Sequence, residues 1–271
     1  MLDKAARLRE LHKAPPILVL PNVWDAVSAR IVESEGYPAV ATTSAGVAAA
    51  LGYPDGGAVP PREMIEAVAR IARAVAVPVT ADVEHGYATT PDALSDVVLR
   101  VIAAGAVGVN LEDCVPGCEE LEPVSLQSDK IAAAVKAAAK SGVRVVINAR
   151  TDVYLRAIGA PDTRLGAAVE RGNAYLGAGA DCVFVPGVRD RDTIAALVKG
   201  IKGPVNVLAV KGSPPVKELE GLGVARVSLG SGPHRAAAAL MQSIARELKT
   251  SGTYSFADSA LPYDTVNDLM K

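Results

Sequence analysis

Two acidic pairs each close a β-branched apolar run: Asp82 and Glu84 in PVTADVE, and Glu112 and Asp113 in VGVNLED. A third run, RVVINARTD, ends in Arg150, with Asp152 just beyond it. Carboxylates that converge on one place repel, and a divalent cation offsets that repulsion. Ligation by oxygen alone suits Mg²⁺ and admits Mn²⁺. The planar fork of Arg150 suits a carboxylate or a phosphate. A metal beside an arginine would serve a small anionic substrate. Any one acid at a strand end can instead cap a helix or pair with an arginine, and Arg150 could be tied to Asp152 or Glu112. The adjacency of Asp82, Glu84 and Glu112 is what favours a metal. Thr43 and Ser44 end another run and could form a simple turn. Asn206 ends a later one. His234 opens the last helix, as a structural residue or as an acid or base.

These residues need a scaffold that brings strand ends together. Eight short apolar runs recur along the chain: 17–22, 39–44, 78–84, 107–113, 144–152, 182–187, 204–210 and 226–231. They lack strict alternation, as expected for parallel strands buried on both faces. Helical segments follow them at 25–35, 61–75, 91–104, 128–141, 162–178, 190–200, 214–221 and 233–249. Asp25 suits an N-cap and Pro61 a first helical position. The junctions EGYPAV, AGAVGV, SGVRVV, AGADCV and LGVARV place Gly at helix ends before strands. Eight such alternations predict one (β/α)₈ TIM-type barrel over residues 1–250, with an extra helix at 2–13. Residues 251–271 form a tail that packs on the barrel or a neighbour, or stays mobile. In this fold the active site lies at the C-terminal strand ends, where the residues above stand.

Half of the 271 residues are hydrophobic and 4% are aromatic, so Ala, Val, Leu and Gly must build the core. A net charge of −2 shows no basic excess for nucleic acid or an anionic membrane. No apolar run is long enough to cross a bilayer, and MLDKAARLRELHKAPP lacks the apolar core of a signal peptide. A cytoplasmic location is therefore expected. The three cysteines, Cys114, Cys118 and Cys182, argue against a disulfide framework. No His flanks the first two, which disfavours zinc, and Cys182 reads as a small buried hydrophobe.

At LPNVWDAVSARI, TTSAGVAAALGYPD, PVTADVEHGY, AGAVGVNLED, INARTD and LGVARVSLGS the chain resembles the isocitrate lyase/phosphoenolpyruvate mutase superfamily, from about Pro15 to Leu248. The resemblance implies that Asp82 touches a Mg²⁺ ion directly. Asp55, Glu84 and Glu112 would hold it through waters. Glu84 stands where the family commonly has Asp. Thr43, Ser44 and Ala45 match a loop that binds the substrate carboxylate and oxo group through backbone N–H groups. Arg150 would clamp that carboxylate, and an enolate-like charge would form as a C–C or P–C bond breaks. The resemblance further implies a homodimer or homotetramer in which the last helix is swapped between paired barrels.

The departures bear on the reaction. The lyase loop of K-K-C-G-H type is replaced by EDCVPGCEELEPVS, without the Lys-Lys or the Gly-His. The Lys-rich gating segment of the mutase and phosphonopyruvate hydrolase branch is missing too. Pro186 and Gly187 stand where several relatives place His or Glu. Cys118, His234 and Asn206 are the candidates for the unassigned half of the site, with Cys118 on a loop over the mouth. The leading reading is a Mg²⁺-dependent lyase, or related hydrolase, for a small 2-oxo or 2-hydroxy carboxylate. One alternative is a phosphorylated substrate bound at Gly230–Gly232. Another is a non-catalytic sensor of 2-oxo acids.

Overall fold

A computed structural model describes residues 1–115, 117 and 119–271. Nine parallel strands form one sheet: β1 (Leu18–Leu20), β2 (Asn22–Val23), β3 (Val40–Thr42), β4 (Val79–Asp82), β5 (Gly108–Glu112), β6 (Val146–Arg150), β7 (Cys182–Val185), β8 (Val205–Leu208) and β9 (Arg226–Ser228). The first predicted run is split. Pro21 has no N–H to give a ladder, so β1 pairs with β9 and β2 pairs with β3. Because β1 and β2 are consecutive, the two sheet edges meet there and the barrel closes. Asn22 bridges this seam. Its amide donates to the Thr42 carbonyl at 2.8 Å, and its Oδ1 accepts from the N–H groups of Leu229 and Gly230 at 2.7 and 2.9 Å.

The helices are α1 (Leu2–Leu11), α2 (Ala26–Ser34), α3 (Ser44–Leu51), α4 (Pro61–Ala74), α5 (Pro91–Ala103), α6 (Val124–Lys140), α7 (Arg164–Gly177), α8 (Arg191–Gly200), α9 (Val216–Gly221), α10 (Gly232–Thr250) and α11 (Tyr263–Leu269), with a 3₁₀ turn at Ser255–Ser259. Asp25 caps α2 in a reciprocal box with Ser28, as its sequence suggests. α6 starts four residues before its expected position, following Pro123. α3 was absent from the periodicity reading because SAGVAAAL offers no polar face to alternate with its apolar one.

The main apolar core lies between strands and helices, where Val79, Val109, Leu94, Val98 and Ile131 are almost fully enclosed. The floor of the barrel is sealed by α1. Leu8 is inaccessible to solvent, and its side chain comes so close to Gly108 that a Cβ there would lie 2.8 Å from it. Arg9 pairs with Asp181 at 2.9 Å and caps the carbonyls of Arg144 and Val145. At the other end of the chain, α10 has no buried residue and exposes Leu240, Met241 and Leu248. The tail turns back so that Arg30 of α2 donates to the Leu269 carbonyl of α11. Among the described residues, no helix is long and apolar enough to cross a membrane.

If α1 is an integral floor, Leu8→Ala leaves a cavity under the barrel and destabilises the protein by about 2–5 kcal/mol. Urea unfolding measures this, and a loss below about 0.5 kcal/mol would mean that α1 is peripheral.

Candidate active site

A cavity of about 230 Å³ opens at the C-terminal strand ends and is lined by Ser44, Asp82, Asn110, Arg150 and Arg226 among others. Asp82, at the end of β4, is held from two sides. The Ser44 N–H donates to its Oδ2 at 2.8 Å and the Asn110 amide to its Oδ1 at 2.9 Å. Asn148 on β6 donates in turn to Asn110 Oδ1 at 2.9 Å, so an amide relay on three neighbouring strands fixes the carboxylate. The backbone N–H of Asp82 donates to Thr42 Oγ1 at 2.8 Å.

The segment expected to be a loop at Thr43–Ala45 is the N-terminus of α3, with Thr43 as N-cap. First-turn N–H groups have no carbonyl within the helix and carry partial positive charge. The Ser44 N–H serves Asp82, and Ala45 lines the cavity beside it.

Glu84 follows β4 with φ +52°, a conformation that is costly for a residue with a Cβ. Its Oε1 accepts from Tyr87 at 3.1 Å, while its Oε2 is buried without a partner among the described residues. Burial, followed by the charges of Asp82 and Asp55, pushes its carboxyl up to about 7. Glu112 ends β5 and pairs with Arg150 at 2.8 Å. Burial is also its largest perturbation and outweighs the opposing effect of Arg150. With Asp152, Asp82 and Glu84 nearby, its carboxyl is pushed up to about 8. Asp55 is exposed at the cavity rim. The four expected metal-binding acids are thus neighbours. No three of them bring oxygens within 4.8 Å of one another, whereas Glu112, Cys114 and Asp152 do. That tighter trio is already occupied: Arg150 pairs with both acids, and burial raises the Cys114 thiol.

The donor set fits Mg²⁺. All four acids offer oxygen, and the buried Glu84 Oε2 has no hydrogen-bond partner among the described residues.

Arg150 lines the cavity but is paired twice, with Glu112 at 2.8 Å and with Asp152 at 2.6 Å, and it lies 5.9 Å from the Phe184 ring centre. Both structural pairings considered from sequence are present together with the cavity position. Asp113, the other member of its acidic pair, is structural. It is fully buried and accepts from Tyr175 at 2.7 Å, Arg171 at 3.1 Å and the Asp152 N–H at 3.0 Å. His234 packs edge-on against Trp24 and is not part of the cavity lining. Asn206 lies inside the barrel, bonded to Ser228 at 3.0 Å, and is likewise not in the lining. Cys118 lies outside the described residues. The base of its loop is pinned by the Cys114–Leu121 bridge and by the buried Lys130–Glu122 pair at 2.9 Å. Cys182 is buried with its thiol pushed up to about 12, as suits an inert core residue. At Gly230–Gly232, the N–H groups of Gly230 and Gly232 are bonded to Asn22 and to the Leu229 carbonyl. Little of that backbone is left to cradle a phosphate.

Thr42, Thr80, Asn110 and Arg226 are cavity residues that strand-end position alone does not single out, whereas Asn148 lies among the strand-end residues of RVVINARTD. Their signal was available. Thr80, Asn110 and Asn148 stand two residues before Asp82, Glu112 and Arg150, and on a strand that spacing shares a face.

The model of the phosphoenolpyruvate phosphomutase family matches residues 8–249. The chain belongs to this family. It is an enzyme of the isocitrate lyase/phosphoenolpyruvate mutase superfamily, as its barrel and strand-end acids agree. Relatives in this group bear the names of lyases, mutases and hydrolases. A Burkholderia cenocepacia structure provisionally named a phosphonomutase is 43% identical, with a TM-score of 0.87, over 90% of this chain and 99% of that one. An oxaloacetate decarboxylase of Rhodopseudomonas palustris is 30% identical over 91% of this chain and 84% of its own. A phosphonopyruvate hydrolase solved with oxalate and Mg²⁺ is 25% identical, with a TM-score of 0.86, over 98% of this chain and 94% of that one.

The raised carboxyls make a stability prediction. Glu84 and Glu112 bind protons more tightly folded than unfolded, so each favours the fold at low pH and ceases to do so as pH rises through its folded value. In EDTA the melting temperature therefore falls from about pH 4.5, where the unfolded carboxyls ionise, to about pH 8, and levels off above it. Mg²⁺ reverses the fall and stabilises more at the upper pH. Thermal scans in EDTA and in MgCl₂ test this; a Mg²⁺ effect that is absent at both ends of the range contradicts it.

Proposed function

We propose that the protein is a Mg²⁺-dependent lyase that cleaves or decarboxylates a small 2-oxo or 2-hydroxy carboxylate through an enolate-like intermediate. The observation that carries this reading is Asp82. It is fixed at the cavity by the Ser44 N–H and the Asn110 amide, beside a Glu84 oxygen with no partner. Asp82 would ligate Mg²⁺ directly, with Asp55, Glu84 and Glu112 holding its waters. When bound, the ion supplies positive charge beside the substrate oxygen that gains electron density as the bond breaks.

The protein's own groups do the positioning. The start of α3 offers the Ala45 N–H and the positive end of the helix to a carboxylate. Arg150 faces the same cavity, its fork held rigid by Glu112 and Asp152, so little orientation is lost when a substrate arrives. Leu155, Phe184 and Pro186 give the cavity an apolar side that limits water around the reacting carbons. Cys118, outside the described residues, stays a candidate for the unassigned half of the site. Oxaloacetate, as in the name of the Rhodopseudomonas relative, and substituted malates fit this geometry as candidate substrates.

The exposed apolar residues of α10 support a homo-oligomer in which this helix packs on a paired barrel. Light scattering then reports a multiple of the 27.8 kDa chain mass, and a monomer at assay concentration refutes the assembly.

A panel of oxaloacetate, substituted malates and phosphonopyruvate, with Mg²⁺ and with EDTA, tests the activity. Turnover is expected in Mg²⁺ only. Asp82→Asn abolishes it, and Glu84→Gln weakens Mg²⁺ binding by about 10–100-fold. The proposal fails if no substrate turns over and Asp82→Ala leaves oxalate affinity unchanged.

A further inference from the structure

Arg226 is 2% exposed and stands on β9, two residues below Ser228 at the mouth, yet it lines the cavity. Its Nε donates to Ser228 Oγ at 3.3 Å and its Nη1 to His12 Nε2 at 3.4 Å. His12 Nδ1 is 2.8 Å from the Leu8 carbonyl, which can only accept, so the proton is on Nδ1 and Nε2 is free to accept from Arg226. Neither partner brings negative charge. Burial, with Arg226 beside it, lowers His12 to about 4, and burial raises the neighbouring Cys182 thiol to about 12. No carboxylate lies within ion-pair distance of Arg226 among the described residues, and its Nη2 has no hydrogen-bond partner there. Nη2 is not among the fully enclosed unpaired atoms, and Arg226 contributes to the cavity lining.

The second cavity arginine is different. Arg150 is matched by two carboxylates. Arg226 is therefore the cavity-lining cation among the described residues that is left without an ion pair. Burial lowers Arg226 to about 10, and Asp82 favours its charge from a distance without pairing with it. A buried guanidinium without a paired carboxylate is costly to keep, and such a cost is tolerated where a ligand supplies the charge. Thr80 adds a second unsatisfied group to the same cavity: its buried hydroxyl has no partner among the described residues.

We propose that Arg226, assisted by Thr80, binds a second carboxylate of the substrate at the inner end of the cavity, and so selects short 2-oxo or 2-hydroxy diacids over monoacids. This assignment rests on the placement of the first carboxylate and the oxo or hydroxy oxygen at Ser44, Ala45 and Asp82. The diacid then spans the cavity, one end at the start of α3 and the other at β9. Arg226 acts as a specificity residue, and its neutral partners keep its charge available.

Isothermal titration in saturating MgCl₂ tests this with three probes: oxalate, malate, and malate carrying an amide in place of its 4-carboxylate. The wild-type protein binds malate at least about 30-fold more tightly than the amide. Arg226→Gln removes that preference and leaves oxalate binding unchanged, while Arg226→Lys retains part of it. Equal wild-type affinities for malate and its amide, or no malate binding, overturn the assignment without needing any variant. So does a parallel loss of oxalate and malate in both variants, which would mark Arg226 as structural. Failure of oxalate to bind with Mg²⁺ would instead refute the metal-dependent function, and the malate comparison would still report on Arg226.

Discussion

Carboxylates crowded at two neighbouring strand ends are the constraint around which this site is arranged. Asp82, Glu84 and Glu112 sit on β4, just after it and on β5, and parallel strands lie about 4.8 Å apart. The barrel gives them no freedom to separate. The protein answers with three separate devices. Asp82 receives two neutral donors, Glu112 receives the guanidinium of Arg150, and Glu84 has Tyr87 on one oxygen and nothing on the other. The raised carboxyls of Glu84 and Glu112 measure what those devices leave unsolved. The Mg²⁺ proposed for this site would remove the remainder.

This constraint extends into the barrel. A TIM barrel ordinarily fills its interior with layers of Val, Ile and Leu. Here Thr80, Asn110, Asn148, Asn206 and Arg226 occupy much of that space. The amide relay from Asn148 through Asn110 to Asp82 needs donors below that carboxylate, so the strand interiors must be polar where the mouth is acidic. Apolar burial is displaced outward, to the layer between strands and helices, and downward to α1. His12 belongs to the same solution. By staying neutral it closes the floor without adding a second charge beside Arg226.

The sequence made the scaffold readable for a definite reason. Strands buried on both faces leave apolar runs, and Gly at helix ends punctuates them, so the eight-fold alternation survives in composition alone. Acids and Arg150 at the ends of those runs were readable because the fold rule says where ends gather. Interior positions other than Asn148 and Asn206 were not, since Thr80 and Asn110 interrupt apolar runs and Arg226 opens one, with nothing local to mark them as lining a cavity. Helix α3 was hidden by its small residues, and the division at Pro21 by the continuity of ILVLPN. Arg150 shows the other limit. Its type and position indicated a substrate clamp or an ion pair, and only three-dimensional placement reveals that it pairs with two acids while facing the cavity.

The same geometry explains how a metal-binding half can be shared by enzymes of different reaction. The acids and Arg150 are fixed by strand register, which a loop cannot alter. Among the described residues, the loop after β5 is fastened at its base by the Cys114–Leu121 bridge, the bond from the Glu122 N–H to the Asp113 carbonyl, the Lys130–Glu122 pair and the contact of Arg156 with Cys114. Residues between those fasteners can change without disturbing Asp82. Active-site loops on a rigid barrel vary for this reason. Absence of the Lys-Lys and Gly-His elements from this loop therefore leaves the strand-end acids and Arg150 in place, whatever the loop itself contributes. Specificity then passes to groups anchored in the barrel itself, and the interior strand positions, where Arg226 stands, are the ones a loop cannot overwrite.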